Sequence, residues 1–387
     1  MKRIAIVTSH PIQYNAPLFK LLAQEANIQI KVFYTWGEGV LKKKLDPGFG
    51  KVIEWDIPLL DGYDYTFVNN VSVDPGTHHF KGIINPTLNQ EIEEWKANAV
   101  IVYGWSFVSH FKCIRYFKNK IPVIFRGDST LLDETSGVKV LLRRLFLKWV
   151  YKKVDYFLYV GTNNKKYFLK HGAKENQLIY APHAIDNARF AEPNSDYISA
   201  AFQWRQELGI KPEDVVILFS GKFERKKNPE YIIELSKQLP NHNLKFIFVG
   251  NGVLENSLKV AAANDNRIIF LPFTNQQKMP VVYRMADVFI LPSTGPGETW
   301  GLAVNEAMAS GRAVMVSDKV GGAIDLVSKE NGLIFSPNDI NTSVEFIKQI
   351  LKDRNILAAM SEHSKTAVQS FSYKNILQGI LSLVNKL

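Results

Sequence analysis

The sequence predicts an α/β protein with two domains, each built on a parallel β-sheet. Two observations carry this expectation. Short apolar runs alternate with segments of helical spacing along the chain, and strands buried on both faces of a parallel sheet read as such continuous runs. The pattern also pauses once and restarts, across a looser polar stretch at 181–198 that holds Pro182 and Pro193. A length of 387 residues suits two or three domains better than one. The boundary is expected near residue 190, giving a first domain over 1–190 and a second over 191–372.

The elements follow in order. Residues 4–8 form a continuous apolar run and read as a buried first strand. Met1, Lys2 and Arg3 before that run could mimic a secretion signal, but the run breaks at Thr8, Ser9, His10 and Pro11, too early for one. Residues 16–26 have helical spacing through Leu18, Leu21 and Leu22. Further strands are expected at 28–34, 99–103, 121–125 and 156–160, with helices at 86–95, 107–116 and 138–151. After the pause, strands are expected at 215–220, 244–249, 268–271, 288–291 and 313–316. Helices are expected at 229–238, 276–285 and 302–310. In open sheets of this kind ligands bind beyond the carboxyl ends of the strands, so the loops that follow them are where chemistry is sought.

Composition excludes several classes. The chain is 46% hydrophobic and 22% charged, which a disordered protein would not be. No apolar run approaches the ~18–20 residues of a spanning helix. Cys113 is the single cysteine, so an internal disulfide and a cysteine-based metal site are both excluded, and an intracellular protein is expected. No fixed-period repeat is present.

The richest segment runs from Leu291 to Gly322. An expected strand ends at Leu291, a loop with Gly295, Pro296, Gly297 and Gly301 follows, and a helix begins near Leu302. Glycines let backbone amides approach a ligand, and a helix N-terminus favours anions. Glu298 lies in the loop and Glu306 about one turn into the helix. Two carboxylates touching a phosphate would repel it, so they suit sugar hydroxyls on either side of a diphosphate. The alternative is an ordinary strand–loop–helix connection with a solvated glutamate.

Glu298 and Glu306, with seven residues between them, resemble the E-x7-E segment of the retaining GT-B glycosyltransferases of family 4. Ser220-Gly221-Lys222-Phe223 followed by Lys227-Asn228-Pro229 is similar to that family's G-R-x-x-x-x-K segment. Val249-Gly250-Asn251-Gly252, Ala286-Asp287-Val288, Gly321-Gly322 and Asn331-Gly332-Leu333-Ile334 resemble further segments in the same order. So do Gly161, Pro182, Asp186 and Phe190. The resemblance covers 155–372 well and the first 150 residues weakly.

The resemblance implies two Rossmann-like domains facing a central cleft, with the terminal helix 373–387 crossing back onto the first. It implies that Lys222 and Lys227 bind the donor diphosphate, with Gly221 beside them. Lys222 stands where an arginine is usual, and so would act as a point charge. Lys226 and Lys227 could be plain solvated charge, but the spacing from Gly221 selects Lys227. Glu306 would accept hydrogen bonds from the donor ribose. Glu298 would contact the donor sugar or order its loop, and the amides of Trp300, Gly301 and Leu302 would hold sugar and phosphate oxygens. The base would be met by backbone around 270–273.

The first domain departs from the family pattern. Its first loop is Ser9-His10-Pro11-Ile12-Gln13-Tyr14 in place of a glycine pair, which would put His10 and Gln13 in the cleft; capping the loop is the alternative for His10. Arg126-Gly127-Asp128-Ser129 stands where a histidine is usual, so Asp128 or Arg126 would contact the donor sugar or orient the acceptor. His183 replaces the commoner asparagine after Pro182 and is expected to be structural.

The implied activity is retaining transfer of a sugar from a nucleotide-diphosphate sugar to a glycan or lipid-linked glycan, in bacterial surface polysaccharide synthesis. A nucleotide-sugar epimerase and a catalytically silent nucleotide-sugar-binding partner are the alternatives. No D-x-D triplet occurs, so neither a metal-bridged diphosphate nor any cofactor is expected.

The net charge is +10. Lys112, Arg115, Lys118 and Lys120 form one basic segment. Lys139, Arg143, Arg144, Lys148, Lys152 and Lys153 form another, and 139–153 holds no acid. Val138, Leu141, Leu142, Leu145 and Trp149 make one apolar stripe on the second segment, with Leu147 and Val150 on its far side. The segments 112–120 and 139–153 are expected to dock on an anionic membrane, which would place a cytoplasmic protein peripherally on the inner face. A core-packed helix with solvated cations is the alternative. Nucleic acid is not expected, since no recognised binding module accompanies the charge.

Overall fold

A computed structural model describes residues 1–38, 44–46, 51–53, 56–191 and 195–387. Pro193 lies outside them. The strands are β1 (Lys2–Thr8), β2 (Ile28–Tyr34), β3 (Lys44–Asp46), β4 (Lys51–Ile53), β5 (Tyr65–Phe67), β6 (Ala99–Tyr103), β7 (Val123–Arg126), β8 (Tyr156–Tyr159) and β9 (Leu178–Tyr180). They continue with β10 (Val215–Ser220), β11 (Leu244–Val249), β12 (Ile268–Leu271), β13 (Val288–Leu291), β14 (Ala313–Ser317) and β15 (Gly332–Phe335).

The chain divides into two compact units. The first holds residues 1–44, 58–183 and 373–387, and the second 45–57 and 184–372. The division therefore falls between His183 and Ala184, ahead of the boundary expected near 190. The stretch expected to be a loose linker carries helices at Asn187–Ala191 and Ser195–Glu207.

The first unit is built on a seven-stranded sheet in the order β5-β2-β1-β6-β7-β8-β9, with every described pairing parallel. Its strands are apolar on both faces because helices cover both. Ala5, Val7, Val100, Val102, Val123, Phe125 and Phe157 point into one core with Cys113, Ile114 and Phe117 of the helix Val108–Phe117. The terminal helix Tyr373–Val384 packs beside β9 so closely that a Cβ on Gly379 would lie 2.2 Å from the Tyr180 carbonyl oxygen. The Lys2 ammonium caps that helix at the Val384 carbonyl, 2.7 Å away.

The second unit carries a six-stranded parallel sheet in the order β12-β11-β10-β13-β14-β15. In both sheets the strand order reverses beside the strand that comes first in sequence, β1 or β10, the arrangement that opens a ligand-binding crevice at the carboxyl edge.

The helix Val138–Tyr151 turns the far side of its apolar stripe inward. Its buried residues are Leu147, Val150 and Tyr151, so the far side is the face that the core takes. The stripe of Val138, Leu141, Leu142, Leu145 and Trp149 is 42% to 73% exposed. The basic segments are also partly neutralised. Lys118 pairs with Asp155, Lys120 with Glu93 and Arg144 with Glu134. Among the described residues no ion pair engages Lys112, Lys139, Lys148, Lys152 or Lys153.

Candidate active site

Four loops of the second unit converge on the carboxyl edge of its sheet. β10 runs out into Gly221 and Lys222, and β11 into Gly250 and Asn251. The two exits are pressed together: Gly221 N–H donates to the Val249 carbonyl at 3.0 Å, and a Cβ on Gly250 would lie 2.0 Å from the Gly221 oxygen. Only glycine permits that approach. Asn251 Oδ1 accepts from the Phe273 N–H at 2.9 Å, so that amide of the segment expected to meet a base is already engaged.

The turn Arg225–Lys227 ends at Asn228, which adopts left-handed φ of 53°. The Asn228 side-chain amide donates to the Pro292 carbonyl at 3.2 Å, and Thr294 N–H donates to the Lys226 carbonyl at 2.9 Å. These bonds fasten the lysine turn to the loop after β13. They bring Lys227 Nζ to 2.5 Å from Glu298 Oε2. Lys226 points elsewhere and pairs with Glu224 at 3.4 Å.

The Glu298 loop is braced from two sides. Gly321 N–H donates to the Glu298 carbonyl at 2.8 Å, and Gly322 N–H to the Trp300 carbonyl at 3.0 Å. The Ser293 hydroxyl reaches Glu298 Oε2 at 3.3 Å. Gly301 caps the helix Leu302–Ala309 at φ 93°, where a Cβ would meet Val320 at 2.8 Å. The first amides of a helix have no partner within it. The Trp300 ring is buried and donates through Nε1 to Asn305 at 2.8 Å, so it belongs to the support of this helix start. Glu306 is buried one turn into the helix, and the Tyr283 hydroxyl donates to its Oε2 at 2.7 Å.

The structure thus places Gly221, Lys222, Lys227, Glu298 and Gly301 on loops, and Leu302 and Glu306 at the start of the helix that follows, at one sheet edge. Sequence reasoning missed Ser293, Tyr283 and Asn305, which hold the two glutamates and the tryptophan. Ser293 lies two residues past Leu291, inside the segment from Leu291 to Gly322. Tyr283 carries no local signal, since its helix lies in another part of the sequence.

Residues 201–367 match a protein family described as glycosyl transferases group 1. An uncharacterized glycosyltransferase of Methanocaldococcus jannaschii, MJ1607, is 29% identical over 179 residues, 45% of this chain and 45% of that protein. The UDP-Gal:alpha-D-GlcNAc-diphosphoundecaprenol alpha-1,3-galactosyltransferase of Escherichia coli is 28% identical over 195 residues, 48% of each chain. The chain spans about half the length of the curated relatives it matches. The structure of Anabaena Alr3699/HepE in complex with UDP and glucose superposes over 100% of both chains with a TM-score of 0.72 at 16% identity. That likeness shows the fold, which is GT-B.

The residues singled out in the first unit also lie at carboxyl strand ends. His10 follows β1. Its Nδ1 is 2.9 Å from Ser9 Oγ, its ring stands edge-on to Trp36, and burial pushes its pKa down to about 4. Gln13 is partly exposed on the same loop. Arg126 is buried, and its two terminal nitrogens donate to the Ala181 and Pro182 carbonyls at 2.9 and 3.1 Å. It therefore clamps the segment after β9, which departs from the ligand contact expected of it. The clamp sets His183 Nε2 at 3.5 Å from Asp128 Oδ2, with the Asp128 side chain 45% exposed. Burial lowers the His183 pKa, the Asp128 carboxylate opposes that shift, and Arg126 adds to it.

Proposed function

We propose that this chain is a retaining glycosyltransferase of family 4 that uses a nucleotide-diphosphate sugar. The observation that carries the reading is the Lys227–Glu298 pair beside the Gly301-capped helix that bears Glu306. In the transition state the departing diphosphate gains negative charge, and cations and a helix N-terminus aimed at it lower the barrier. Lys227 and Lys222 serve that charge. Diphosphate draws Lys227 from Glu298, which turns to a donor hydroxyl, while Tyr283 holds Glu306 for the ribose. Asp128, steadied by His183, is the first unit's contact for a sugar hydroxyl. No step calls for a metal or cofactor.

The acceptor proposed is a glycan or lipid-linked glycan of bacterial surface polysaccharide synthesis, met from the cytoplasmic face. Two features favour a lipid-linked one. A relative is named for transfer to a diphosphoundecaprenol-linked sugar. The helix Val138–Tyr151 presents six exposed apolar side chains, Phe146 with the five of the stripe, flanked by Lys139, Lys148, Lys152 and Lys153. Apolar side chains enter the headgroup boundary while cations meet anionic lipid, so both terms favour the same contact. Among the described residues no helix is long and apolar enough to cross a membrane, so the contact proposed is peripheral.

The test is a panel of nucleotide sugars, incubated with and without polyprenyl-linked acceptor, with nucleotide release and product anomeric configuration as readouts. Acceptor-dependent release with retained configuration is expected. Isomerised donor without acceptor, or binding without turnover by any pair, would overturn the reading.

A further inference from the structure

The first unit brings together one cluster of metal-type ligands among the described residues: Asp74, His78 and His79. They lie on the loop between β5 and the turn Phe80–Gly82. His78 Nε2 is 3.1 Å and His79 Nε2 3.2 Å from the same oxygen, Asp74 Oδ2, and His79 Nε2 also lies 3.0 Å from the Asp74 main-chain carbonyl. Tetrahedral zinc with bonds of about 2.0–2.1 Å places its ligand atoms about 3.3 Å apart. Both separations from Asp74 Oδ2 are therefore already close to an edge of such a tetrahedron.

We propose that Asp74, His78 and His79 form a binding site for a divalent transition-metal ion, Zn²⁺ or Cu²⁺. Hydrogen bonds alone would account for two imidazoles on one carboxylate, but such exposed contacts contribute little to stability. The loop nevertheless carries several hydrogen bonds of its own behind them. Asn70 Oδ1 accepts from the N–H groups of Ser72 at 3.1 Å and Ile84 at 2.9 Å, and its Nδ2 donates to the Gly82 carbonyl at 3.0 Å. The Ser72 hydroxyl donates to the Lys81 carbonyl at 2.7 Å and accepts from the Asp74 N–H at 3.3 Å. Gly76 N–H donates to the Gly82 carbonyl at 3.1 Å. A Cβ on Gly76 would lie 2.4 Å from His78 Nδ1, so glycine is what lets that ring fold over the loop. A pinned loop has already met the ordering cost of binding.

The donor set decides the ion. Two imidazoles with one carboxylate suit zinc and copper, whereas magnesium and calcium prefer oxygen. Three protein ligands leave the remaining position to water, since Asp74 and His78 are exposed. The site lies in a different unit from the proposed diphosphate-binding residues, and the ion would stabilise the loop by binding only its folded form.

The test is calorimetric titration of the chelator-stripped chain with Zn²⁺ at neutral pH, with Cu²⁺ paramagnetic resonance as a second readout. One equivalent of saturable binding is expected, with two nitrogen ligands on Cu²⁺. Asp74→Ala should weaken binding by roughly tenfold or more, and His78→Ala/His79→Ala should abolish it without changing the thermal midpoint of the metal-free chain. No saturable binding, or binding unchanged in the double variant, overturns the proposal.

Discussion

Lys227→Ala tests the proposed chemistry most directly, because the structure pairs that ammonium with Glu298 and the proposed function passes it to the diphosphate. It sits 2.5 Å from Glu298 Oε2, with the lysine side chain 19% and the glutamate 9% exposed. In the proposed function the same charge then faces a phosphate oxygen. A unit charge pair about 4 Å apart at an effective dielectric of about 20 is worth about 4 kcal/mol. Water recovers part of that in the variant, leaving about 2.7 kcal/mol lost in the transition state, the lower end of the range measured for removing one such stabiliser. Each 1.36 kcal/mol is tenfold, so turnover should fall roughly 10²-fold.

The same substitution leaves Glu298 nearly buried without its cation. Breaking such a pair destabilises because the surviving carboxylate stays desolvated, here by about 1–2 kcal/mol since Ser293 and some solvent remain. Lys227→Ala should therefore lower the thermal midpoint, and adding Glu298→Gln should restore it without restoring turnover. The assay is nucleotide diphosphate release under saturating donor, beside a melting curve. Turnover within about threefold of the parent would refute the electrostatic role. Recovery of rate in the double variant would show that the defect lay in folding.

Tyr283→Phe removes the donor to the buried Glu306 carboxylate. A hydrogen bond to a charged group is worth about 1.5–3 kcal/mol, so nucleotide affinity should drop roughly tenfold or more by calorimetry. Leu141→Asp with Leu145→Asp removes two exposed leucines. At about 1.5 kcal/mol for each inserted side chain, flotation with phosphatidylglycerol vesicles should weaken roughly 10²-fold, and unchanged partition would remove the docking surface. His110 is fully buried, its Nδ1 2.9 Å from the Tyr103 carbonyl and its Nε2 2.8 Å from the Thr35 hydroxyl. Burial pushes its pKa from the ordinary 6.5 down to about 4. The folded value lies below the unfolded one, so its contribution is full above 6.5 and is lost as pH falls towards 4. That loss reaches about 3 kcal/mol in urea unfolding, and His110→Gln should flatten the slope.

Why some of this was legible in the sequence follows from length and burial. β6, β10, β11 and β13 are largely buried runs of four to six residues, and their composition alone marks them. β5 and β9 are three residues each, Tyr65–Phe67 and Leu178–Tyr180, too short to show a period, and exist because a neighbouring strand edge pairs them. The helix Ser195–Glu207 was hidden because the polar residues before it read as linker. At the site, the loop after β13 announces itself through glycines and two glutamates. Its supports Tyr283 and Asn228 do not, because they reach it through space from elements whose own sequence reports only their local structure.

The helix Val138–Tyr151 shows the limit most sharply. A helical stripe in sequence says that apolar residues share a face, and nothing about whether protein covers that face. Here the sheet accepts Leu147, Val150 and Tyr151, while Val138, Leu141, Leu142, Leu145 and Trp149 stay outside. Five large apolar side chains on one exposed face cost solvation that a folded chain normally avoids. Charge then discriminates among partners. The cations at 118, 120 and 144 are neutralised by Asp155, Glu93 and Glu134 and cannot distinguish a lipid from a protein. Lys139, Lys148, Lys152 and Lys153 carry no such pairing among the described residues. A second copy of this chain would bring its own cations against them, whereas an anionic leaflet meets them with opposite charge. Binding to such a leaflet should therefore weaken with salt but not vanish, because the apolar share of the contact is not screened.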